Sequence, residues 1–335
     1  MFQVICIGSS SKDIFFPTKE GVIFDTPEDI TAQKKIAFEL GAKYQIDKIF
    51  EAPGGCAANV AQGLSRLGID TACYTKIGKD EVGNWIEKEL KKEKVSIKLI
   101  QIDKHCKSDV SVVIVDEVTR DHVILFNRES NTKLEINPRK IKNTKRIFIS
   151  ALNGNWEKNV DEILAVAGDN NISILFNPGQ RNIKDNPDKV LEIIERSEVL
   201  ILNKDEAIEI MMAADKNLEN QNLNDEIFLL NSLMKLNKSV VVLTDGENGS
   251  WAAKDGDIFF AKVVVENPVD TLGAGDSFSS GFLAGYINGK DMAESLRMGI
   301  ANGVNVIMYY GAKEGLLNES NVGEFISGID VKKIN

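Results

Sequence analysis

The sequence predicts an α/β protein: a doubly wound, mostly parallel sheet flanked by helices, with a small β-rich lid inserted into it. Three observations predict it. Short β-branched apolar runs alternate with amphipathic, helix-like stretches along most of the chain. The runs are near-continuously apolar, as strands covered on both faces must be. Two stretches, residues 14–52 and 97–130, break that rhythm, and the second reads as strand after strand with no helix between.

In chain order the strands are "QVICIGS", "TACYTKIG", "RIFISAL", "ISILFNP", "EVLILN" and "SVVVLTDG". Between them lie "ANVAQGLSRLG", "EVGNWIEKELKKEK", "NVDEILAVAGDN", "PDKVLEIIERS" and "NDEIFLLNSLMKLN", whose apolar residues recur at helical spacing. A strand-like "FFAKVVVENPV" then leads to a helix of small residues, "SFSSGFLAGYI". In the lid, residues 14–52 are mixed, with Pro17 and Pro27. "IKLIQI", "SDVSVVIVD" and "DHVILFN", joined by short polar turns, suggest an antiparallel layer. The whole, residues 1–335, reads as one α/β domain carrying the two lid segments. In such sheets ligands bind outside the carboxyl ends of the strands.

Composition narrows the function. A chain with 43% hydrophobic and 27% charged residues is ordinary for a soluble protein with a real core. A net charge of −10 argues against a nucleic-acid surface, which needs clustered Lys and Arg. It leaves room for a small anion, because backbone N–H groups bind phosphate without basic side chains. Cys6, Cys56, Cys73 and Cys106 form no CxxC pair, and with only His105 and His122 no zinc site is suggested. Cys6 and Cys73 sit in strand-like runs and read as buried thiols of a reducing cytosol. "MFQVICIGSS" lacks the pattern of a signal peptide, and no apolar stretch approaches a bilayer span. A soluble, cytoplasmic protein that binds no membrane is expected.

Two glycine-rich junctions carry the chemistry. "DTLGAGDSF" places Gly273, Ala274 and Gly275 between Asp270 and Asp276, at the mouth of the small-residue helix. Without bulky side chains, the N–H groups of that helix start can face a phosphoryl group. Asp276 is then either an N-cap or a general base for an attacking hydroxyl. The second junction is "PGGCAANVAQGLSRLG", where Gly54 and Gly55 lead into a helix with Asn59 one turn in. The glycines let a ligand approach the backbone, and the amide can donate to and accept from a hydroxyl. A tight turn with a polar helix residue would read the same way. There is no GxxxxGK[ST] loop and no GxGxxG.

Together, "GGCAANVAQGLSRLG" and "DTLGAGDSFSSGFLAG" resemble the two signatures of the ribokinase-like, or PfkB, carbohydrate kinase family, in the same order. "IGKDEVG", "NKDE" and "LTDGENGS" agree with it, so the similarity spans nearly the whole chain. The resemblance implies a ribokinase-like fold and an ATP-dependent kinase. Asp276 matches the catalytic base, and the backbone from Gly273 to Asp276 matches the anion hole. Asn203 and Glu206 match an N-x-x-E motif linked to phosphate and Mg2+, Glu206 acting indirectly. Thr244, Gly246 and Gly249 match the nucleotide-side loop, and Asn302 lies in the helix that flanks the adenine. Asp13 matches a sugar-hydroxyl acceptor, completed by Gly54, Gly55 and Asn59. Asp270 and Thr271 sit where some relatives bind a monovalent cation such as K+. Many relatives pair through their lids, which implies a homodimer.

Departures from the pattern bear on the substrate. Ser11 stands where ribokinases usually have Asn, and Lys12 is unusual, with a long side chain expected to point to solvent. "FNPGQR" differs from the D-x-N-x-R pattern of several ketose and keto-acid kinases, although Arg181 is retained. Cys56 is given no role. The expected reaction is γ-phosphoryl transfer to a primary hydroxyl of a ribose-like sugar or ketose. The alternatives are a nucleoside kinase of the same family and a non-catalytic sugar- or nucleotide-binding relative.

Overall fold

Nine strands form the main sheet of the computed structural model, which describes residues 1–26, 34–119, 121–215, 223–265 and 268–334. From one edge to the other they are Lys332–Lys333, Asp257–Ala261, Ser250–Lys254, Val240–Thr244, Ser197–Asn203, Ser173–Phe176, Thr144–Ile149, Phe2–Ile7 and Thr71–Tyr74. The six from Val240–Thr244 to Thr71–Tyr74 are parallel, and the three at the other edge pair antiparallel. The parallel strands are buried on both faces, which explains their unbroken apolar character. Ile5, Ile7, Ile147, Ile149, Leu200 and Leu202 face one core. Val4, Cys6, Phe148, Val199 and Ile201 face the other. Helices Trp156–Asn170, Pro187–Arg196, Lys204–Ala214 and Glu226–Leu236 cover the first face. Cys56–Arg66, Glu81–Lys92, Ala274–Ile287 and Met292–Val306 cover the second.

The lid is a four-stranded sheet ordered His122–Asn127, Val110–Asp116, Ser11–Thr18, Phe50–Gly54. Its outer pairings are antiparallel, but Ser11–Thr18 and Val110–Asp116 run parallel, so the layer is mixed. The parallel pairing arises because both strands leave the main domain at its edge and run outward together. A separate hairpin, Val22–Asp25 with Lys34–Ala37, rises from the first lid segment, and residues 27–33, which include Pro27, lie outside the described residues.

Three strand expectations are corrected. "TACYTKIG" is two strands, because Lys76–Gly78 leaves the main sheet and pairs instead with Gln101–Asp103. "IKLIQI" therefore contributes only its end, and to that small pair rather than to the lid. "FFAKVVVENPV" ends as a strand at Ala261 in a hairpin with Ser250–Lys254, and Glu266 and Asn267 are outside the described residues. In the last two cases the apolar run is longer than the strand it contains, and none of the three runs encodes its partner strand.

Buried polar groups pin the root of the lid. Asp109 is fully buried and accepts from the Ser130 N–H and hydroxyl at 2.8 Å each and from Asn131 Nδ2 at 2.6 Å. Asn131 also donates to the Ser10 carbonyl at 2.9 Å, tying three chain crossings together. Asp80, the N-cap of helix Glu81–Lys92, accepts from Gly83 N–H at 2.7 Å and Ser108 N–H at 2.8 Å. The "IGKDEVG" segment thus anchors the lid rather than facing a ligand. Among the described residues, no helix is long and apolar enough to cross a membrane.

Candidate active site

The two glycine junctions meet. Helix Cys56–Arg66 packs against helix Ala274–Ile287, and Asn59 Nδ2 donates to Asp276 Oδ2 at 2.8 Å across a separation of 217 residues. Asp276 is not an N-cap: the cap is Gly273, at φ 79°, and Asp276 stands in the first turn. Its carboxylate faces Asn59 and the Cys56 thiol. Burial raises the Asp276 pKa, the hydrogen bonds from Asn59 and Cys56 oppose the rise, and the Asp13 charge adds to it. A carboxylate held this way keeps proton affinity, as a general base needs. Asn59 is nearly buried and its Oδ1 has no hydrogen-bond partner. Such an orphan acceptor costs free energy unless a ligand donor meets it.

The backbone beside Asp276 forms an open cradle. The first bond of the helix is Ser277 N–H to the Gly273 carbonyl at 2.9 Å, so the N–H groups of Gly275 and Asp276 lie ahead of the intrahelical ladder. A Cβ built on Gly275 would meet nothing within 4 Å. The space a side chain would fill is thus left at the positive end of the helix, as a phosphoryl group requires. Gly273 has a different reason: a Cβ there would lie 2.2 Å from Ala312 Cβ.

On the lid side of the cradle, Asp13 lies in strand Ser11–Thr18, opposite Phe50–Gly54. Ser11 Oγ donates to Asp13 Oδ1 at 2.9 Å, and burial raises the Asp13 pKa against the hydrogen bonds of Ser111 and Ser11. Ser11 thus orients the aspartate. A Cβ on Gly54 would lie 2.0 Å from Asp13 Oδ2, so only glycine lets the carboxylate stand there. Gly55, at φ 91°, caps the Asn59 helix and brings its start against Ser9 and Ser10. Lys12 does not point to solvent: it pairs with Glu51 at 2.8 Å and lies over the Trp85 ring at 5.1 Å. Arg181 does point outward, pairing with Asp185 at 3.4 Å.

On the other side of the cradle, Asn203 and Thr244 are register partners at the carboxyl ends of neighbouring strands. Asn203 and Glu206 form a reciprocal capping box at the start of helix Lys204–Ala214. Burial, chiefly, pushes the Glu206 carboxyl up to about 7, with Asp276 among the charges that add to it. Gly246 and Gly249 shape the turn after Thr244, at φ 51° and 133°. Beyond it, Phe260, Val264, Ile300, Val304, Met308 and Phe325 line a largely apolar cavity of 390 Å³. Asn302, in helix Met292–Val306, is fully buried beneath this cavity rather than lining it. Its amide donates to the Ser277 carbonyl at 2.7 Å and Ser280 Oγ at 3.0 Å, and accepts from Leu317 N–H at 2.9 Å. It fastens two helices, and its helical neighbours Ala301 and Asn305 line the cavity instead.

Asp270 is fully buried and serves its own loop, accepting from Leu272 N–H at 3.0 Å and Gly311 N–H at 3.1 Å. Thr271 is exposed, with its carbonyl taking the Ala274 N–H at 3.3 Å. Among the described residues, no group of three or more His, Cys, Asp or Glu side chains could hold a metal ion. Sequence reasoning missed two site residues. Cys56 lies against Asp276, whose charge, with burial, holds the thiol well above its ordinary pKa and so protonated. Arg128 reaches toward Asp13 from the lid through Ser111. A lone cysteine and a lid arginine carry no motif, so nothing in the sequence singled them out.

Known proteins arrange the same elements. The family model for pfkB family carbohydrate kinases matches residues 29–319. A sugar kinase of Archaeoglobus fulgidus is 28% identical over 260 residues, covering 76% of this chain and 98% of its own. An ATP-dependent 6-phosphofructokinase of Thermoanaerobacterium thermosaccharolyticum is 24% identical, over 89% of this chain and 91% of its own. The nucleoside kinase of Methanocaldococcus jannaschii is 26% identical over 94% of each chain. Its crystal structure, of the ribokinase family, superposes with a TM-score of 0.74 at 24% identity, covering 97% of this chain and 98% of that one. With both signature junctions joined at one site and the family model spanning the chain, this protein belongs to the PfkB family of carbohydrate kinases, phosphotransferases that act on an alcohol group.

Proposed function

We propose that this kinase transfers the γ-phosphoryl group of ATP to a primary hydroxyl of a small sugar, ribose-like or a ketose, with Asp276 as general base. The observation that supports the reading is the Asn59–Asp276 contact, which sets the Asp276 carboxylate between helix Cys56–Arg66 and the open glycine cradle. The hydroxyl oxygen forms the new bond to the γ-phosphorus, the bond to the ADP oxygen breaks, and the hydroxyl proton passes to Asp276. Gly273, Ala274 and Gly275 shape the anion hole, where backbone N–H groups stabilise the transferring charge. Asp13 and the unpartnered Asn59 Oδ1 bind neighbouring hydroxyls, with Gly54 and Gly55 clearing the approach.

Asn203, Thr244, Gly246 and Gly249 border the nucleotide phosphates, and the cavity beyond them accepts the base. Magnesium bound with the nucleotide would neutralise phosphate charge, and Glu206 would help to hold it indirectly. The lid, packed through Phe15, Ala52 and Val113 onto Leu272 and Tyr310, excludes water and limits ATP hydrolysis. Exposed Val123 and Leu125 on its edge strand His122–Asn127 are the apolar face through which a second copy pairs. A K+ requirement would assign the remaining lone pairs of Asp270 to a cation, together with Thr271. The second reading is a nucleoside acceptor, favoured by the match to a nucleoside kinase along 94% of the chain.

The test is ADP release from Mg·ATP with ribose, 2-deoxyribose, fructose, fructose phosphates, adenosine, inosine and cytidine. Acceptor-dependent release with a sugar supports the first reading, and release only with nucleosides replaces it by the second. Hydrolysis independent of every acceptor contradicts both.

A further inference from the structure

Arg128 follows directly after lid strand His122–Asn127. Its Nη2 donates to Ser111 Oγ at 3.1 Å, its Nη1 to the Asn127 carbonyl at 3.3 Å, and its guanidinium lies over the Phe126 ring at 4.8 Å. Ser111 is the register partner of Asp13 on the neighbouring strand, and its hydroxyl serves the Asp13 carboxylate. The guanidinium therefore stands on the face of the lid that holds Asp13, within electrostatic reach of both Asp13 and Cys56.

Its partners are a hydroxyl, a carbonyl and a ring face. No carboxylate among the described residues forms an ion pair with it, and its neighbour Glu129 pairs with Lys133 instead. Several partly buried cations are matched by carboxylates: Lys12 with Glu51 at 2.8 Å, Arg66 with Glu93 at 2.7 Å and Lys313 with Glu89 at 2.8 Å. Among the described residues Arg297, which donates to the Ile329 carbonyl at 3.0 Å, is not, so what sets Arg128 apart is its place beside Asp13 at the candidate site. This half-buried guanidinium forms no ion pair among the described residues, and its planar fork suits a carboxylate or phosphate that arrives from outside.

We propose that the acceptor is an anionic sugar, bearing a phosphate ester or a carboxylate, and that Arg128 binds this oxyanion. Asp13 takes an intervening hydroxyl, and Asp276 faces the hydroxyl that reacts. The proposal rests on the kinase reading and narrows its substrate class: ribose, fructose and nucleosides leave the guanidinium unmatched.

The experiment compares kcat/KM, at two ionic strengths, for fructose 6-phosphate and 2-keto-3-deoxygluconate against fructose and 2-deoxyribose, in the parent, Arg128→Gln and Arg128→Lys. The phosphate and carboxylate arms separate the two sources of the anion. At least one anionic acceptor is expected to exceed its neutral counterpart about 100-fold, with a KM that rises with salt. Arg128→Gln should erase most of that preference through KM, and Arg128→Lys, which keeps charge but loses the fork, should retain part of it. Thermal unfolding of both variants checks that they fold. Equal use of neutral and anionic acceptors, or the same preference in Arg128→Gln, overturns the proposal and leaves the kinase reading standing. Turnover of neutral acceptors alone does the same. No turnover of any acceptor, with Mg·ATP still binding, overturns both.

Discussion

Asn59→Ala separates the hydrogen bond to the base from the base itself. The Asn59 amide donates to ionised Asp276 at 2.8 Å, a charge-assisted bond from a buried amide to a half-buried carboxylate. Such a bond is worth roughly 1.5–3 kcal/mol to the ionised form. Removing it favours the protonated form of Asp276 by the same amount and so raises its pKa. Burial and the Asp13 charge already raise that pKa, and Asn59 and Cys56 hold it down, so losing Asn59 adds to the rise. The acid limb of log kcat/KM against pH should therefore shift to higher pH. The plateau should fall as well, because the Asn59 Oδ1 acceptor is lost with it. A pH–rate profile of parent and variant reads both effects. An acid limb that stays in place or moves to lower pH would refute the coupling, whatever the plateau does.

Other perturbations separate the subsites. Gly275→Ala puts a Cβ into open space, so thermal unfolding should barely change while kcat falls by about 10²-fold or more, as for a lost anion-hole donor; a large loss of stability would contradict the open cradle. Gly54→Ala drives a Cβ to within 2.0 Å of the Asp13 carboxylate, and should raise the acceptor KM with little change in that for ATP, as steady-state kinetics would show. Glu206 is raised to about 7 from an ordinary 4.5, so its contribution to stability is fully present below about pH 4.5 and is lost as pH rises through 7. Glu206→Gln, which can keep the capping box, should be the more stable protein at pH 8, by at most about 3 kcal/mol, and lose that advantage below pH 5. Urea unfolding at both pH values that gives parallel curves would count against the buried carboxyl.

The parallel strands of the main sheet were legible because they are buried on both faces and its helices on one, so an unbroken apolar run marks each of them. Partners were less so. Nothing in "TACYTKIG" says that Tyr74 stays in the main sheet while Lys76–Gly78 turns to a different strand. The candidate site shows the same division. The glycines at 54, 55 and 273 answer local steric demands, and Gly275 leaves open space at the helix start, both of which a glycine-rich junction signals in sequence. The Asn59–Asp276 bond was not, since its ends lie 217 residues apart. Asn302 lies in the helix that lines the cavity, but an α-helix turns successive side chains by about 100°, and which of them faces the core is not written in the motif; this one does. Arg128 and Cys56 gain their meaning only from neighbours on other elements.

The central claim, that Asp276 accepts the proton in phosphoryl transfer, is tested most directly by Asp276→Asn with the best acceptor. The account predicts that ATP and acceptor still bind by calorimetry while kcat falls by about 10³-fold or more. It also predicts that the variant is at least as stable as the parent at neutral pH, because a buried carboxylate with a raised pKa has been replaced by a neutral amide. A variant that turns over at close to the parental rate would contradict the role given to Asp276.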